Sequence, residues 1–114
     1  MNQDTQPIGD DINVYGDVSY ILTLIDSSSE SSSWLLGDGL HRIGRVKGLE
    51  ILLDDITVSR NHAIITVEGE NIIIEDTNST NGIFLNGELI SQANLVAGDR
   101  LQLGRFLLLL VKVK

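Results

Sequence analysis

An all-β sandwich is the fold that this sequence predicts, on three observations. No window of helical length carries a 3.6-residue apolar period that is not interrupted by glycine or a β-branched cluster. The chain instead breaks into about eleven short apolar or alternating segments at close spacing, the pattern of sandwiches and barrels. Turn-forming pairs punctuate them, Asn86-Gly87 most clearly, because a two-residue type I′ turn needs positive φ at both central positions. Antiparallel or mixed sheets packed face to face would fill the core with aliphatic side chains and gather the loops at the two ends.

Each element follows in chain order. Met1 to Val18 has few large apolar residues and no sustained period, so residues 1–18 are expected to be a flexible acidic arm ahead of a domain over 19–114. Tyr20 to Ile25 reads as the first strand, and Ser27 to Ser33, broken only by Glu30, as a solvated loop. Trp34-Leu35-Leu36 and Leu40 to Ile43 are short strands about the turn Gly37-Asp38-Gly39. Glu50 to Leu53 is a strand ended by Asp54-Asp55. Ala63 to Val67 and Asn71 to Glu75 flank Glu68-Gly69-Glu70 as a hairpin. Ile83-Phe84-Leu85 and Glu88-Leu89-Ile90 flank Asn86-Gly87. Leu95-Val96, Arg100 to Leu103 and Phe106 to Lys112 complete the series around Gly98-Asp99 and Gly104-Arg105.

Composition removes several classes of function. With no cysteine, neither a disulfide framework nor a thiolate metal site is available. The start is polar and acidic rather than signal-like, and Phe106 to Val111 is too short to span a bilayer, so a cytoplasmic location is expected. The net charge of −8 is unevenly placed. The first forty residues hold seven acids and no lysine or arginine, whereas residues 41–114 hold nine acids against eight basic groups. A nearly neutral domain lacks the broad cationic face that nucleic acid requires, but one phosphate held by two or three cations remains compatible.

Three loops carry the chemistry. Ile43-Gly44-Arg45, Val58-Ser59-Arg60-Asn61-His62-Ala63 and Asn78-Ser79-Thr80-Asn81-Gly82 each lie where one strand should end and another begin. A phosphate monoester carries nearly two charges and three strong acceptor oxygens. Guanidinium, hydroxyl and backbone N–H donors on rigid supports are what hold it. Arg45 can project from a strand end, Ser59 brings a hydroxyl, Arg60 a second cation, and Thr80 and Asn81 approach from the third loop. The turn-rich backbone from Ser79 to Gly82 can also present successive N–H groups to an anion. His62, opening a strand, is expected to point into structure.

Gly44-Arg45, Ser59-Arg60-Asn61-His62-Ala63, Ser79-Thr80-Asn81-Gly82 and Asn86-Gly87 together resemble the signature of the forkhead-associated (FHA) domain, over about Tyr20 to Val113. The resemblance implies an eleven-stranded β-sandwich of the FHA type that binds phosphothreonine peptides through loops at one end, made by a Ser/Thr kinase's action on a partner protein. By position it implies that Arg45 and Ser59 contact the phosphate and that Arg60 contacts phosphate or peptide backbone. Thr80 would bond near the phosphate and Asn81 would hold the peptide main chain. Gly44, His62 and Gly82 would support the site, and no cofactor is implied. Ile83 departs from the threonine common after Asn-Gly in the family. Preference for threonine would come from its methyl group, a contact worth roughly 1–3 kcal/mol. Lys47 and the segment around Asn78 are candidates for reading the residue three places beyond.

Other readings are weaker. Ser59, His62 and Asp76 could be drawn as a nucleophile triad, but no strained G-x-S-x-G elbow accompanies the serine. His41 and His62 give no metal-binding spacing. The principal alternative is an FHA-like adaptor that assembles proteins independently of phosphate, although such relatives typically lose the arginine or serine kept here; a second alternative is dimerisation through the apolar sheet face. Thr5-Gln6-Pro7-Ile8 adds a riskier expectation. A phosphorylated Thr5, on an arm reaching roughly 20 Å, could occupy the protein's own site or a neighbour's.

Overall fold

Alternation along the strands decides which way each one faces. In Ala63–Glu68, Ala63, Ile65 and Val67 are buried while Ile64 and Thr66 are only partly so. Asn71–Asp76 repeats the pattern with Ile72 and Ile74, and Phe106–Lys112 does so with Leu108 and Leu110. A period of two puts one set of side chains on the core face and the other outside.

The computed structural model describes residues 19–25 and 32–113. The described strands are β1 (Tyr20–Leu24), β2 (Ser33–Leu36), β3 (Gly39–Gly44), β4 (Ile51–Leu52), β5 (Ala63–Glu68), β6 (Asn71–Asp76), β7 (Ile83–Leu85), β8 (Glu88–Ile90), β9 (Gln92–Leu95), β10 (Arg100–Leu103) and β11 (Phe106–Lys112). They form a six-stranded sheet, β2-β1-β11-β10-β7-β8, and a five-stranded sheet, β4-β3-β5-β6-β9. All pairings are antiparallel except β3 with β4, where Ile43 faces Ile51 in parallel register. The expected all-β, mixed sandwich is therefore the fold. The acidic arm over 1–18, with Thr5, and most of the serine tract lie outside the described residues.

Between the sheets lies an aliphatic core, with Leu22, Ile43, Ile65, Ile74, Ile83, Leu101, Leu103, Leu108 and Leu110 without solvent exposure. Fully burying one such side chain contributes about 1.5–3 kcal/mol. Among the aromatic groups Tyr20 is buried in the core, whereas Trp34 and Phe106 are partly buried against it.

Three local expectations shift. The ninth strand is Gln92–Leu95 rather than Leu95-Val96, because Gln92 to Leu95 pair with Glu75 to Ile72 at the sheet edge. Val96 instead turns away, its N–H donating to Asp99 Oδ2 at 2.8 Å. Ser33 belongs to β2 rather than to the loop, and its hydroxyl donates to Thr23 Oγ1 at 2.7 Å. Glu50 stands before β4, where its carboxylate receives Arg42 Nε and Nη2 at 2.8 and 2.7 Å. This two-pronged pair steadies the parallel β3–β4 edge and holds the Glu50 carboxyl down at about 2.

The turn chemistry is as the residues require. Asn86 and Gly87 have φ of 50° and 89°, the positive pair that closes β7 onto β8. Asn86 also donates through Nδ2 to Asp99 Oδ1 and accepts the Arg100 N–H through Oδ1, which fastens this distal turn to the neighbouring loop.

Candidate functional site: three loops around one cavity

β3 ends at Gly44, β5 begins at Ala63 and β7 begins at Ile83, so the loops around these three positions share one end of the sandwich. Gly44 allows the first two to touch. A Cβ there would lie 2.0 Å from the Arg60 carbonyl oxygen, so any other residue would push the loops apart. Beside it the Arg45 N–H donates to the Ser59 carbonyl at 3.2 Å.

His62 is the internal strut. It is the one buried polar side chain among the described residues, with no solvent exposure. The Ser59 N–H donates to His62 Nδ1 at 3.0 Å, so the ring carries its proton on Nε2, which donates to the Gly82 carbonyl at 2.8 Å. Its main chain is fixed too, with its N–H on Ile43 O and its carbonyl receiving the Thr77 N–H. One residue thus ties together all three loops, the second and third through its imidazole and the first through its main chain.

The third loop is built by its own short bonds. Asp76 takes the Ser79 N–H on Oδ1 at 2.7 Å and the Ser79 hydroxyl on Oδ2 at 3.0 Å. Ser79 Oγ in turn accepts the Gly82 N–H at 2.9 Å. Asn78 and Gly82 adopt positive φ of 68° and 80°, a conformation that Asn and Gly enter at least cost. Across to the second loop, the Thr80 N–H donates to Ser59 Oγ at 2.9 Å and Asn81 Nδ2 donates to the Thr57 carbonyl at 2.9 Å.

These bonds frame an open cavity of about 510 Å³. Arg45, Ser59, Arg60, Thr80 and Asn81 all line it, together with Thr57 and Asn78. Gly44, His62 and Gly82 stand behind it and do not line it. Lys47 is likewise absent from the wall. The donors left over are the useful ones. Arg45 spends Nε on the Val58 carbonyl at 2.8 Å, which aims the side chain and leaves its two terminal NH₂ groups. Among the described residues Ser59 Oγ only accepts, so its own proton remains to be given. Neither Arg45 nor Arg60 forms an ion pair among the described residues.

The residues proposed for a nucleophile triad are arranged otherwise. His62 meets the Ser59 backbone, not its hydroxyl, and Asp76 is committed to Ser79.

Sequence reasoning passed over Thr57. Its hydroxyl donates to Asp55 Oδ2 and accepts the Arg105 N–H at 3.0 Å. The bond from Thr57 and the nearby Arg105 guanidinium lower the Asp55 carboxyl below its ordinary range. Gly104 has φ of 58°, and a Cβ there would strike Thr57 Oγ1 at 2.4 Å. The β10–β11 turn is therefore clasped to the second loop. Asp55-x-Thr57, an acid two residues before a bonded N–H, was the available signal.

A model of the FHA domain matches residues 41–104, more than half of the chain. The chain belongs to the FHA domain family. Among its relatives, the glycogen accumulation regulator GarA of Mycobacterium tuberculosis is 35% identical over 88 residues, covering 77% of this chain and 54% of GarA. The chain thus spans about half the length of the curated relatives it matches. A solved FHA domain studied for its phosphothreonine-dependent interactions superposes with a TM-score of 0.76 at 32% identity, covering 82% of this chain and 95% of that one. EmbR of M. tuberculosis, solved with a low-affinity phosphopeptide, gives a TM-score of 0.74 at 32% identity, covering 82% of this chain and 24% of EmbR. In this FHA domain, no helix among the described residues is long and apolar enough to cross a membrane.

Proposed function

We propose that this FHA domain is a phosphothreonine-peptide binding module that mediates phosphorylation-dependent protein–protein interaction in signalling, acting in the cytoplasm as a binder and not as an enzyme. The observation that carries the reading is the set of donors left unspent around one cavity. Arg45, with its two terminal NH₂ groups unspent, Ser59, with its hydroxyl proton unspent, and Arg60 all line the same space.

A dianionic phosphate fits this set. Arg45 supplies charge-assisted bonds, which are roughly twice as strong as neutral ones. Its Nε bond to Val58 fixes the guanidinium beforehand, so little side-chain freedom is lost on binding. Ser59 donates to a second phosphate oxygen, while the Thr80 N–H on its oxygen polarises the hydroxyl. The Thr80 side chain bonds at the edge of the phosphate. Asn81, braced by Thr57, presents its amide oxygen to the peptide main chain. His62, Gly44 and Gly82 keep the loops in register without touching the ligand. The partners are proteins marked by a Ser/Thr kinase, and GarA and EmbR are related proteins whose names mark them as regulators.

The test is the affinity of the full chain for one degenerate threonine peptide pool, with and without the phosphate. Binding that needs the phosphate is expected. Equal affinity for both pools would replace this reading with the phosphate-independent adaptor.

A further inference from the structure

The two sheets turn different faces outward. On the five-stranded sheet, the outward row Arg42, Ile64, Glu75 and Gln92 is largely charged or polar, and Ile73 stands between Thr66 and Asn94, as on a solvated face. The registers of the six-stranded sheet instead set Leu35, Ile21 and Val111 side by side. The next row holds Ser33, Thr23, Leu109 and Arg100, and a third holds Leu107, Gln102, Phe84 and Leu89. None of the apolar residues in these rows belongs to the core or packs against it, and Leu35 and Leu89 are 68% and 65% exposed. No described strand covers this face.

A lone exposed leucine needs no explanation, but an apolar patch of this breadth marks a contact surface. Ordinary strand spacing and rise make the face roughly 24 Å across its six strands and roughly 20 Å along β11. Two copies stacked on it would remove about 1,000 Å² from water, the area at which specific interfaces begin. The acidic segment before β1 is a poor cover, since residues 1–18 carry four aspartates among few large apolar residues. A second copy brings an apolar face of equal size. The one charge in the three rows is Arg100, which forms no ion pair among the described residues.

We infer that the outer face of the six-stranded sheet docks a second copy of this chain, the two sheets stacking face to face as a two-fold dimer. Arg100 selects the direction of the axis. An axis across the strands at Leu109 would set the two Arg100 side chains against each other. An axis along β11 sets Leu107, Leu109 and Val111 against their own counterparts and carries Arg100 over neutral β1, beside Thr23 of the second copy. Such an axis also leaves both copies pointing the same way. The β10–β11 turn is clasped to the second loop through Thr57, so β11 begins at the end that holds the phosphate cavity. The dimer therefore presents two cavities at one end. Their use as a pair rests on the phosphothreonine reading, whereas the dimer does not.

The experiment sediments the full chain from micromolar to millimolar concentration and follows its amide resonances over the same series. A monomer–dimer equilibrium is expected, with Ile21, Leu109 and Val111 shifting on concentration while Ile64 and Ile73 stay fixed. Leu109→Asp and Leu35→Asp should each weaken association by at least about tenfold, because every dimer would bury two unpaired carboxylates. Leu35 is the more exposed of the two, so its variant keeps the test readable should Leu109→Asp fail to fold. Leu40→Asp, at a position 60% exposed on the other sheet, should associate like the wild type. A chain monomeric at millimolar concentration, association that survives both face variants, or shifts confined to another surface would overturn the inference. On a surface densely coated with one phosphothreonine peptide, the wild type should dissociate more slowly than Leu35→Asp, since two cavities engage together. Equal dissociation would overturn the same-end arrangement. Failure of both proteins to bind the peptide would overturn the phosphothreonine reading and leave the dimer standing.

Discussion

Ser59 Oγ accepts the Thr80 amide proton at 2.9 Å, so a single hydroxyl joins loops that lie twenty-one residues apart. The bond uses a lone pair of the oxygen and leaves its proton for a ligand. Ser59→Ala removes the donor and also orphans the Thr80 N–H at the cavity rim. Affinity for a phosphothreonine peptide should fall by at least about tenfold, while stability drops by no more than roughly 1 kcal/mol because water can reach the exposed amide. Calorimetric titration beside a urea melt separates the two effects.

His62→Ala should do the reverse in weight. The change strands the Ser59 N–H and the Gly82 carbonyl inside the protein and opens a cavity, for a loss of about 2–4 kcal/mol. Phosphopeptide affinity should decline along with it, since Ser59 and Gly82 lose their common support. Denaturant unfolding that leaves the midpoint unmoved would remove His62 from its structural role.

Gly44→Ala tests how closely the loops approach. The added methyl would meet the Arg60 carbonyl at 2.0 Å and must displace backbone. Overpacking of this kind costs about 1–3 kcal/mol. The amide resonances of Arg45 and Ser59 should shift in an NMR spectrum, and undisturbed resonances there would contradict the contact.

Acid should act on two separate features. The Glu50 carboxyl is lowered from 4.5 to about 2 by Arg42, so its contribution to stability is complete above pH 4.5 and is lost as pH falls towards 2. Arg42→Ala should flatten that part of a stability–pH curve. Ligand binding should weaken at a higher pH, near 6, where the phosphate takes up its second proton and loses half its charge. Titrations across pH 5 to 7.5 read this directly, and an affinity constant over that range would argue against a dianion in the cavity.

Much of this was legible because local chemistry and tertiary need coincide. Asn86-Gly87 demands a tight turn whatever surrounds it, and Ala63 to Val67 alternates because one face is buried. Gln92 to Asn94 gave no such signal: on an edge strand paired only with β6, small and polar residues suffice. The site was visible as residue types, since Arg45, Ser59 and Thr80 sit at strand ends. The brace beneath it was less so. Thr57 meets Arg105 across forty-eight residues, and the His62 ring meets Gly82 across twenty. Long-range contacts of that kind have no pattern along the chain.

The affinity of Arg45→Ala for a phosphothreonine peptide pool, set against the wild type, tests the grip on phosphate most directly. Truncation of a partly desolvated charge partner costs roughly 2–5 kcal/mol, which is at least about tenfold in affinity. The melt should stay close to that of the wild type, because Arg45 lies on a loop outside the core. Equal affinity of the two proteins would take the guanidinium out of the site and the account with it.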